Sequence, residues 1–488
     1  MVNKKSSMLF IGFALFIGCM LRCWNINQSF WWDEIWSTIP YVKTGSLWHV
    51  VSSLGYYFNN HILYSLLARG SIKIFGESEF TARLPALIMG LLAIITLFKF
   101  GKIFLETRCG VIAAILLAVS AFHIDHSSEA RGYSGLALFS ILSSFYFLKG
   151  LKTNGLRCWI FYIVFTVLGF YSHVFMFAVS ISQFFSSFLF VVVEKWGSLK
   201  DGITKKAFKH FLISLSCAGI AVILIYSPIL TTFFYNMGKV QFVNVNRIPF
   251  VMSLLNSFYP GVLCRSGGII YGILFFFGMY CTLRKDPHLF IYLFVMLVLP
   301  LSLYLFINPM FVFERYFVFA LPFALLIVSQ GVVGVSNNFK GIYKRGVVLL
   351  SLLFLVYLQL PAVSKMLNQD RQNYREAVRY VQRAIKNNTE DLVFSIGYAG
   401  EHFRYYSPDI DIPTPATLDE FFNIIRGEKH IRCLITAWLP DIRPPYEDKA
   451  LYSERPGQIE IYNYVKEHFT LEKSFSSRYP VEVYFLKR

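Results

Sequence analysis

Charge is scarce in this chain. Asp, Glu, Lys and Arg make up 15% of its 488 residues, against about 25% in an ordinary soluble domain. That excludes a protein that is water-soluble throughout. Cysteine is scarce too, at 8 residues, which excludes a disulfide scaffold. Six of them (Cys19, Cys23, Cys109, Cys158, Cys217 and Cys281) sit in or at the ends of apolar runs, leaving only Cys264 and Cys433 in aqueous segments. No Walker-type glycine loop and no GxGxxG occurs, so a nucleotide-driven engine has no support. Internal repeats and low-complexity stretches are missing as well. Apolar side chains are abundant: 55% of residues are hydrophobic, 18% are aromatic, and 50 are Phe. Disordered chains have the opposite composition.

The net charge of +17 is unevenly placed. Residues 364–488 hold 18 basic and 18 acidic residues, and residues 1–363 hold 28 basic and 11 acidic. A basic balance can signal nucleic acid. Here the basic residues punctuate apolar runs, which is the pattern of membrane topology, so no nucleic-acid partner is expected.

A hydrocarbon core about 30 Å thick needs about 20 mainly apolar residues per helix. Eleven segments qualify or nearly so: 8–24, 84–104, 110–124, 133–150, 158–174, 176–193, 211–232, 268–283, 289–307, 316–333 and 346–363. The first runs into Arg22-Cys23-Trp24 without a small-residue cleavage site, so it reads as a retained span and not a signal peptide. Eighteen Lys and Arg fall in the loops that are cytoplasmic if the N-terminus is inside, and about half as many fall outside. The chain is therefore expected to be a polytopic α-helical membrane protein of about 11 transmembrane helices, N-terminus in the cytoplasm. Residues 1–363 form its membrane domain. Residues 364–488 form a small α/β domain outside, with helices over 373–387 and 417–427 and strands over 392–398, 431–438 and 480–486. In the long first outer loop, 46–58 and 61–75 read as interfacial helices.

Acidic residues of the membrane half gather at the outer face: Asp33, Glu34, Glu77, Glu79, Asp125, Glu129 and Glu314. Negative charge carries little orientation signal, so an active site on that face is the simplest explanation. The sharpest motif is Phe30-Trp31-Trp32-Asp33-Glu34-Ile35-Trp36-Ser37. An aromatic belt accounts for its tryptophans but does not require two adjacent acids. A carboxylate near the membrane surface makes a stronger base. A second motif, His123-Ile124-Asp125-His126-Ser127-Ser128-Glu129-Ala130-Arg131-Gly132-Tyr133, mixes histidines, acids and one arginine. The planar fork of Arg131 suits a phosphate, and a snorkelling, salt-bridged arginine is the structural alternative. His123, Asp125 and His126 are legitimate metal ligands without a recognised ligand spacing, so a divalent metal stays open as a cofactor and no metal site is assigned. His61, Arg83, His173 and the Glu314-Arg315-Tyr316 turn lie at the same level.

DEIWS after the first span, His61 with Leu-Tyr following, Arg83-Leu84-Pro85, SSEARGY at 127–133 and Gly-Phe-Tyr-Ser-His ending at His173 occur in one order. The chain thereby resembles bacterial membrane glycosyltransferases of family 39 within the GT-C superfamily, relatives of protein O-mannosyltransferases and lipid A aminoarabinose transferases. The likeness covers about 25–180 well and 310–320 weakly. It departs at Ile62 and Leu63, where many relatives carry a Pro pair, and at Ser128, where many carry Gln.

The resemblance implies an inverting glycosyltransferase that takes a sugar from a polyprenyl-phosphate carrier at the outer face of a bacterial inner membrane. It implies catalytic Asp33 and Glu34, with Asp33 as base. It implies substrate-binding His61, Arg83, Asp125, Glu129, Arg131, Tyr133, His173 and Arg315. The acceptor would be an envelope glycan or lipid ahead of a protein hydroxyl. Rival readings are a protein O-glycosyltransferase, a flippase or transporter, and a polymerase of lipid-linked glycans. A transporter would more often show charges at mid-span and broken helices.

Overall fold

The computed structural model describes residues 4–43, 46–53, 59–195, 205–239, 247–261, 265–307, 313–387, 392–396, 399–426, 430–436, 456–478 and 481–487. Each of the eleven expected segments is helical in it. Eight of the helices among the described residues are long and apolar enough to cross a membrane, from Ser6–Cys23 to Gly341–Asn368. The third expected span is instead two helices, Thr107–Val119 and Ala121–Ser127, bent by 63°. The break falls at Ser120, whose side chain caps the second helix by accepting from His123 N; this offers the backbone an alternative to continuing straight. Counted as one span, the pair makes nine.

Two expected spans are shorter than a bilayer needs. Leu156–Ser172 has 17 residues and Leu321–Ser336 has 16, or about 24–26 Å of helix at 1.5 Å per residue. In the second, residues 314–319 wind as a 3-10 turn and the α-helix starts only at Leu321, with Pro322 in its first turn. Proline suits that position because its missing N–H would be unpaired there anyway.

Large apolar side chains stay exposed around the bundle, among them Phe13, Leu224, Phe276, Phe306 and Tyr357. A water-soluble surface does not carry so many, and lipid is what such a band fits. Inside, helices Arg265–Lys285 and Leu321–Ser336 approach so closely that a Cβ at Gly278 would collide with the Ile327 carbonyl oxygen, and one at Gly331 with that of Leu274.

Between the first two expected spans, Leu47–Ser52 and Ile62–Phe75 are helical, and residues 54–58 lie outside the described part. Between the seventh and eighth expected spans lie further helices, Leu230–Lys239 and Arg247–Phe258.

Beyond the last membrane helix, four strands form one sheet: β1 (Leu392–Ile396), β2 (His430–Thr436), β3 (Thr470–Phe475) and β4 (Val481–Lys487). Their order is β1-β2-β4-β3. β1 and β2 are parallel, and the other pairs are antiparallel. Helices Tyr374–Asn387 and Leu418–Ile425 stand close to the expected positions, the second capped by Thr417 as its sequence suggests. Helices Ala399–Tyr406 and Pro456–His468 and strand β3 were not expected. β3 reads Thr-Leu-Glu-Lys-Ser-Phe and lies at the sheet edge, largely exposed. Charged edge strands resist pairing with other chains, and the same charges hide them from an apolar pattern.

This C-terminal unit sits on the end of the bundle that carries Trp32 and Asp33. The Trp32 N–H donates to Gln372 Oε1 at 2.8 Å, the Phe30 N–H donates to the Tyr406 hydroxyl at 2.8 Å, and Arg375 pairs with Glu79 at 3.2 Å. Whatever side of the membrane holds Asp33 therefore holds the sheet. With the basic loops inside, alkaline phosphatase fused after Arg488 should be active and the same enzyme fused after Asn154 inactive. The reverse pattern would invert the orientation.

Candidate active site

The six-residue helix Trp32–Ser37 brings both acids to the site. Trp31 is extended before it, and Glu34 reaches back to accept the Trp31 N–H at 3.1 Å. Thr38–Lys43 then continues as a π-helical turn, a form that is rare and often found at functional sites.

Neighbours on a helix diverge by about 100°, and here the two acids meet different partners. Glu34 is fully buried and gripped by Arg83: Nε to Oε1 at 2.8 Å, Nη2 to Oε2 at 2.5 Å. Oε1 also accepts the Ala130 N–H at 2.6 Å. Arg83 spends its other donors on the Ile26 and Gln28 carbonyls, both at 2.6 Å, and on that of Ser29 at 3.3 Å. Every polar atom of the pair is engaged inside the protein. Arg83 was expected to bind substrate; its fork is already filled, which makes it a framework residue.

Asp33 faces the other way. Its Oδ2 lies 2.9 Å from Arg315 Nη2 and 4.0 Å from Arg131 Nη2. The charges attract, yet no N–H is aligned on Oδ2. Arg131 is held firmly: Nη1 donates to Ser37 Oγ at 2.8 Å, to the Asn59 carbonyl at 3.1 Å and to the Asn59 side-chain oxygen. Arg315 is held mainly by rings, 4.0 Å from the centroid of Phe313 and 5.4 Å from that of Trp31. Burial works against the Arg315 charge, but Asp33, joined by Tyr133, Tyr316 and Glu129, outweighs it and holds the guanidinium above its usual pKa.

Behind the guanidiniums stands a wall of rings. His61, Tyr133 and His173 lie 4.9–5.3 Å apart, and Tyr316 stands 5.1 Å from His173. The wall closes tightly: a Cβ at Gly132 would collide with the Ser172 carbonyl oxygen. Burial, then Arg131 and Arg315, push the His173 pKa down to about 3. His61 is pushed down for the same reasons, with His173 adding to them. Both imidazoles are neutral at physiological pH.

Asp125 and Glu129, expected to bind substrate, are instead engaged by cations from the C-terminal unit, although Glu129 keeps Oε1 without a partner. Asp125 is taken by Arg371 at 2.8 Å and Arg478 at 2.9 Å, both from beyond the last membrane helix. Glu129 Oε2 meets Arg371 at 3.0 Å and His126 Nδ1 at 3.1 Å. Burial would raise the Glu129 carboxyl, but Arg371 and His126 outweigh it and hold it down at about 2. The metal reading of His123, Asp125 and His126 fails on geometry, because they face Arg22, Arg371 with Arg478, and Glu129 respectively. Among the described residues no three His, Cys, Asp or Glu converge to hold a metal.

Arg371 and Arg478 carried no sequence signal, since nothing in their spacing reveals that they fold back onto a loop some 240–350 residues earlier. Tyr316 and Trp31 were visible only as parts of larger motifs.

Buried polar atoms are nearly always hydrogen-bonded, and the exceptions deserve explanation. Several exceptions among the described residues gather here: Trp31 Nε1, His61 Nε2, Glu129 Oε1, Arg131 Nε and Arg315 Nε. Such a cluster beside a carboxylate and two guanidiniums suits a polar, anionic ligand.

The Glu34–Arg83 pair yields a stability prediction. Removing one partner of a buried pair leaves an uncompensated charge, at a cost of about 3–5 kcal/mol. Arg83→Met should therefore lower the melting temperature in detergent sharply, and adding Glu34→Gln should restore much of it. Equal melting of Arg83→Met and the wild type would contradict the framework role. The two histidines yield a second. Their folded pKa values lie below the unfolded value, so the unfolded chain binds protons that the native state refuses, and stability falls as pH drops below about 6.5. His173→Gln should flatten part of that decline in a melting series.

Residues 60–226, from Asn60 through the helix ending at Tyr226, match the dolichyl-phosphate-mannose-protein mannosyltransferase family. No curated protein matches the chain in sequence. Among solved structures, it is similar to ArnT from Cupriavidus metallidurans in the apo state, at 11% identity and a TM-score of 0.56, over 98% of this chain and 97% of that one. The same protein bound to undecaprenyl phosphate matches at 11% and 0.53, over the same shares. The archaeal oligosaccharyltransferase AglB from Archaeoglobus fulgidus, in complex with an inhibitory peptide and a dolichol-phosphate, matches at 14% and 0.52, over 88% of this chain and 70% of that one. At such identities the structural likeness speaks for the fold. The chain thus shares the fold of these membrane-protein structures, and its residues 60–226 are similar to the mannosyltransferase family.

Proposed function

We propose that the chain transfers a sugar, hexosyl or pentosyl, from a polyprenyl-phosphate carrier to an acceptor hydroxyl, with inversion, on the face of the membrane that holds Asp33. The observation that carries this reading is Asp33 facing two buried guanidiniums, amid polar atoms that lack partners. The similar ArnT structure with undecaprenyl phosphate bound favours the same class of donor.

The chemistry follows. The acceptor hydroxyl gives its proton to Asp33. Its oxygen bonds to the anomeric carbon, and the bond from that carbon to the lipid phosphate breaks with its electron pair on the phosphate. The donor is a phosphodiester with one negative charge, and the departing phosphate gathers a second. That group needs charge stabilisation more than a proton, which fixed cations supply. Arg131 is preorganised for this. Arg315 is the more exposed of the two, with 16% of its side chain accessible against 4%, and it meets the incoming phosphate first. The neutral His61 and His173 offer sugar hydroxyls a hydrogen-bonding wall without competing for the phosphate.

On this reading the site faces the periplasm of a bacterial inner membrane, the N-terminus in the cytoplasm and residues 364–488 in the periplasm, an orientation that the concentration of Lys and Arg in alternate loops favours. An envelope glycan or lipid is the acceptor class we favour over a protein.

A positioned base typically contributes about 10²–10⁴-fold. Asp33→Asn should therefore lose at least about 10²-fold in transfer from a labelled polyprenyl-phosphate sugar, while donor lipid still binds. Arg315→Met should instead raise the donor KM. Near wild-type transfer by Asp33→Asn would refute Asp33 as the base. Unchanged donor affinity in both Arg315→Met and Arg131→Lys would remove the phosphate from this site.

A further inference from the structure

We infer that Arg371 is a positioning residue for this transfer, the link through which the C-terminal unit sets the segment 125–131 and Trp31 in working geometry. The inference rests on the Asp33 centre being the transferase site.

Arg371 stands just past the end of the last membrane helix, Gly341–Asn368, and is 5% exposed. Its guanidinium bridges two carboxylates of the membrane part. Nη2 lies 2.8 Å from Asp125 Oδ1 and donates to the Asp125 carbonyl at 3.0 Å. Nε donates to Asp125 Oδ1 at 3.2 Å, and Nη1 lies 3.0 Å from Glu129 Oε2. The same guanidinium lies 5.0 Å from the Trp31 ring centroid.

Two routes lead from these contacts to Asp33. Along the backbone, Glu129 sits two residues before Arg131, and the Arg131 N–H donates to the Glu129 carbonyl at 2.7 Å. Fixing Glu129 therefore fixes the root of the Arg131 side chain that faces Asp33. Through the rings, Trp31 is a shared platform. Arg371 lies against it and so does Arg315, which pairs with Asp33. Glu129 Oε1 has no hydrogen-bond partner, so the carboxylate is held through Oε2 by Arg371 and His126. Arg478 shares only Asp125, which makes it the natural control.

A planar fork can serve two carboxylates at once, whereas an ammonium is a single compact charge. Arg371→Lys should thus keep one arm of the bridge, and Arg371→Met neither. A misplacement of about 1 Å at a reacting centre can cost about 10²-fold. The test is steady-state transfer from a polyprenyl-phosphate sugar by the full chain in nanodiscs, at a temperature where every variant is folded. For Arg371→Met we expect a donor kcat/KM lower by about 10²-fold with a raised KM, for Arg371→Lys a partial recovery, and for Arg478→Met a lower melting temperature with transfer near wild type. A purely structural Arg371 would reduce the active fraction, lowering kcat at unchanged KM; that outcome overturns the inference, as does Arg478→Met matching Arg371→Met in kcat/KM. Absence of transfer by the wild type would overturn the functional reading beneath it.

Discussion

The buried pair of Glu34 and Arg83 is the contact on which the candidate site depends. Its two charges sit away from water, so they hold only because every lone pair and N–H has a partner. Those partners come from three places: the carbonyls of residues 26, 28 and 29, the N–H of Trp31, and the N–H of Ala130. One ion pair thus ties the segment after the first helix, the start of helix Glu79–Phe104 and the turn before Arg131. Loosening it would free the backbone that carries both Asp33 and Arg131.

That fixation gives two adjacent carboxylates different work. Glu34 faces the protein and is saturated. Asp33, about 100° around the helix, faces two guanidiniums and keeps an oxygen without an aligned donor. The cations differ in the same way. Arg83 and Arg131 are anchored by oxygen atoms, whereas Arg315 leans on rings and on Asp33 itself. A site of the proposed kind, which accepts an anion beside a base, needs one cation that can turn, and ring contacts restrain a guanidinium less than a fork of hydrogen bonds does.

The C-terminal unit is more than a covering layer. Arg371 and Arg478 neutralise Asp125, and Arg371 neutralises Glu129, which also meets His126. Tyr406, Gln372 and Arg375 bind the segment from Asn27 to Trp32 and the first turn of helix Glu79–Phe104. The charge balance of residues 364–488, neutral as a whole, conceals this, because the relevant cations are few and turned inward.

Composition and periodicity by themselves determined the helical membrane class, the places of the eleven apolar segments and the existence of a mixed unit after them, because burial in lipid or in a core demands apolar runs of set length. The motif order singled out Asp33, Arg131, His61, His173 and Arg315, which the fold brings to one level. What they left undecided was the division of labour. Whether an acid is a base or a framework ion depends on which cation lies within about 4 Å of it, and those cations come from residues tens to hundreds of positions away. The pairing of Glu34 with Arg83, the capture of Asp125 by Arg371 and Arg478, and the bend at Ser120 were decided only when the chain folded back on itself, since no local spacing encodes a contact between distant segments.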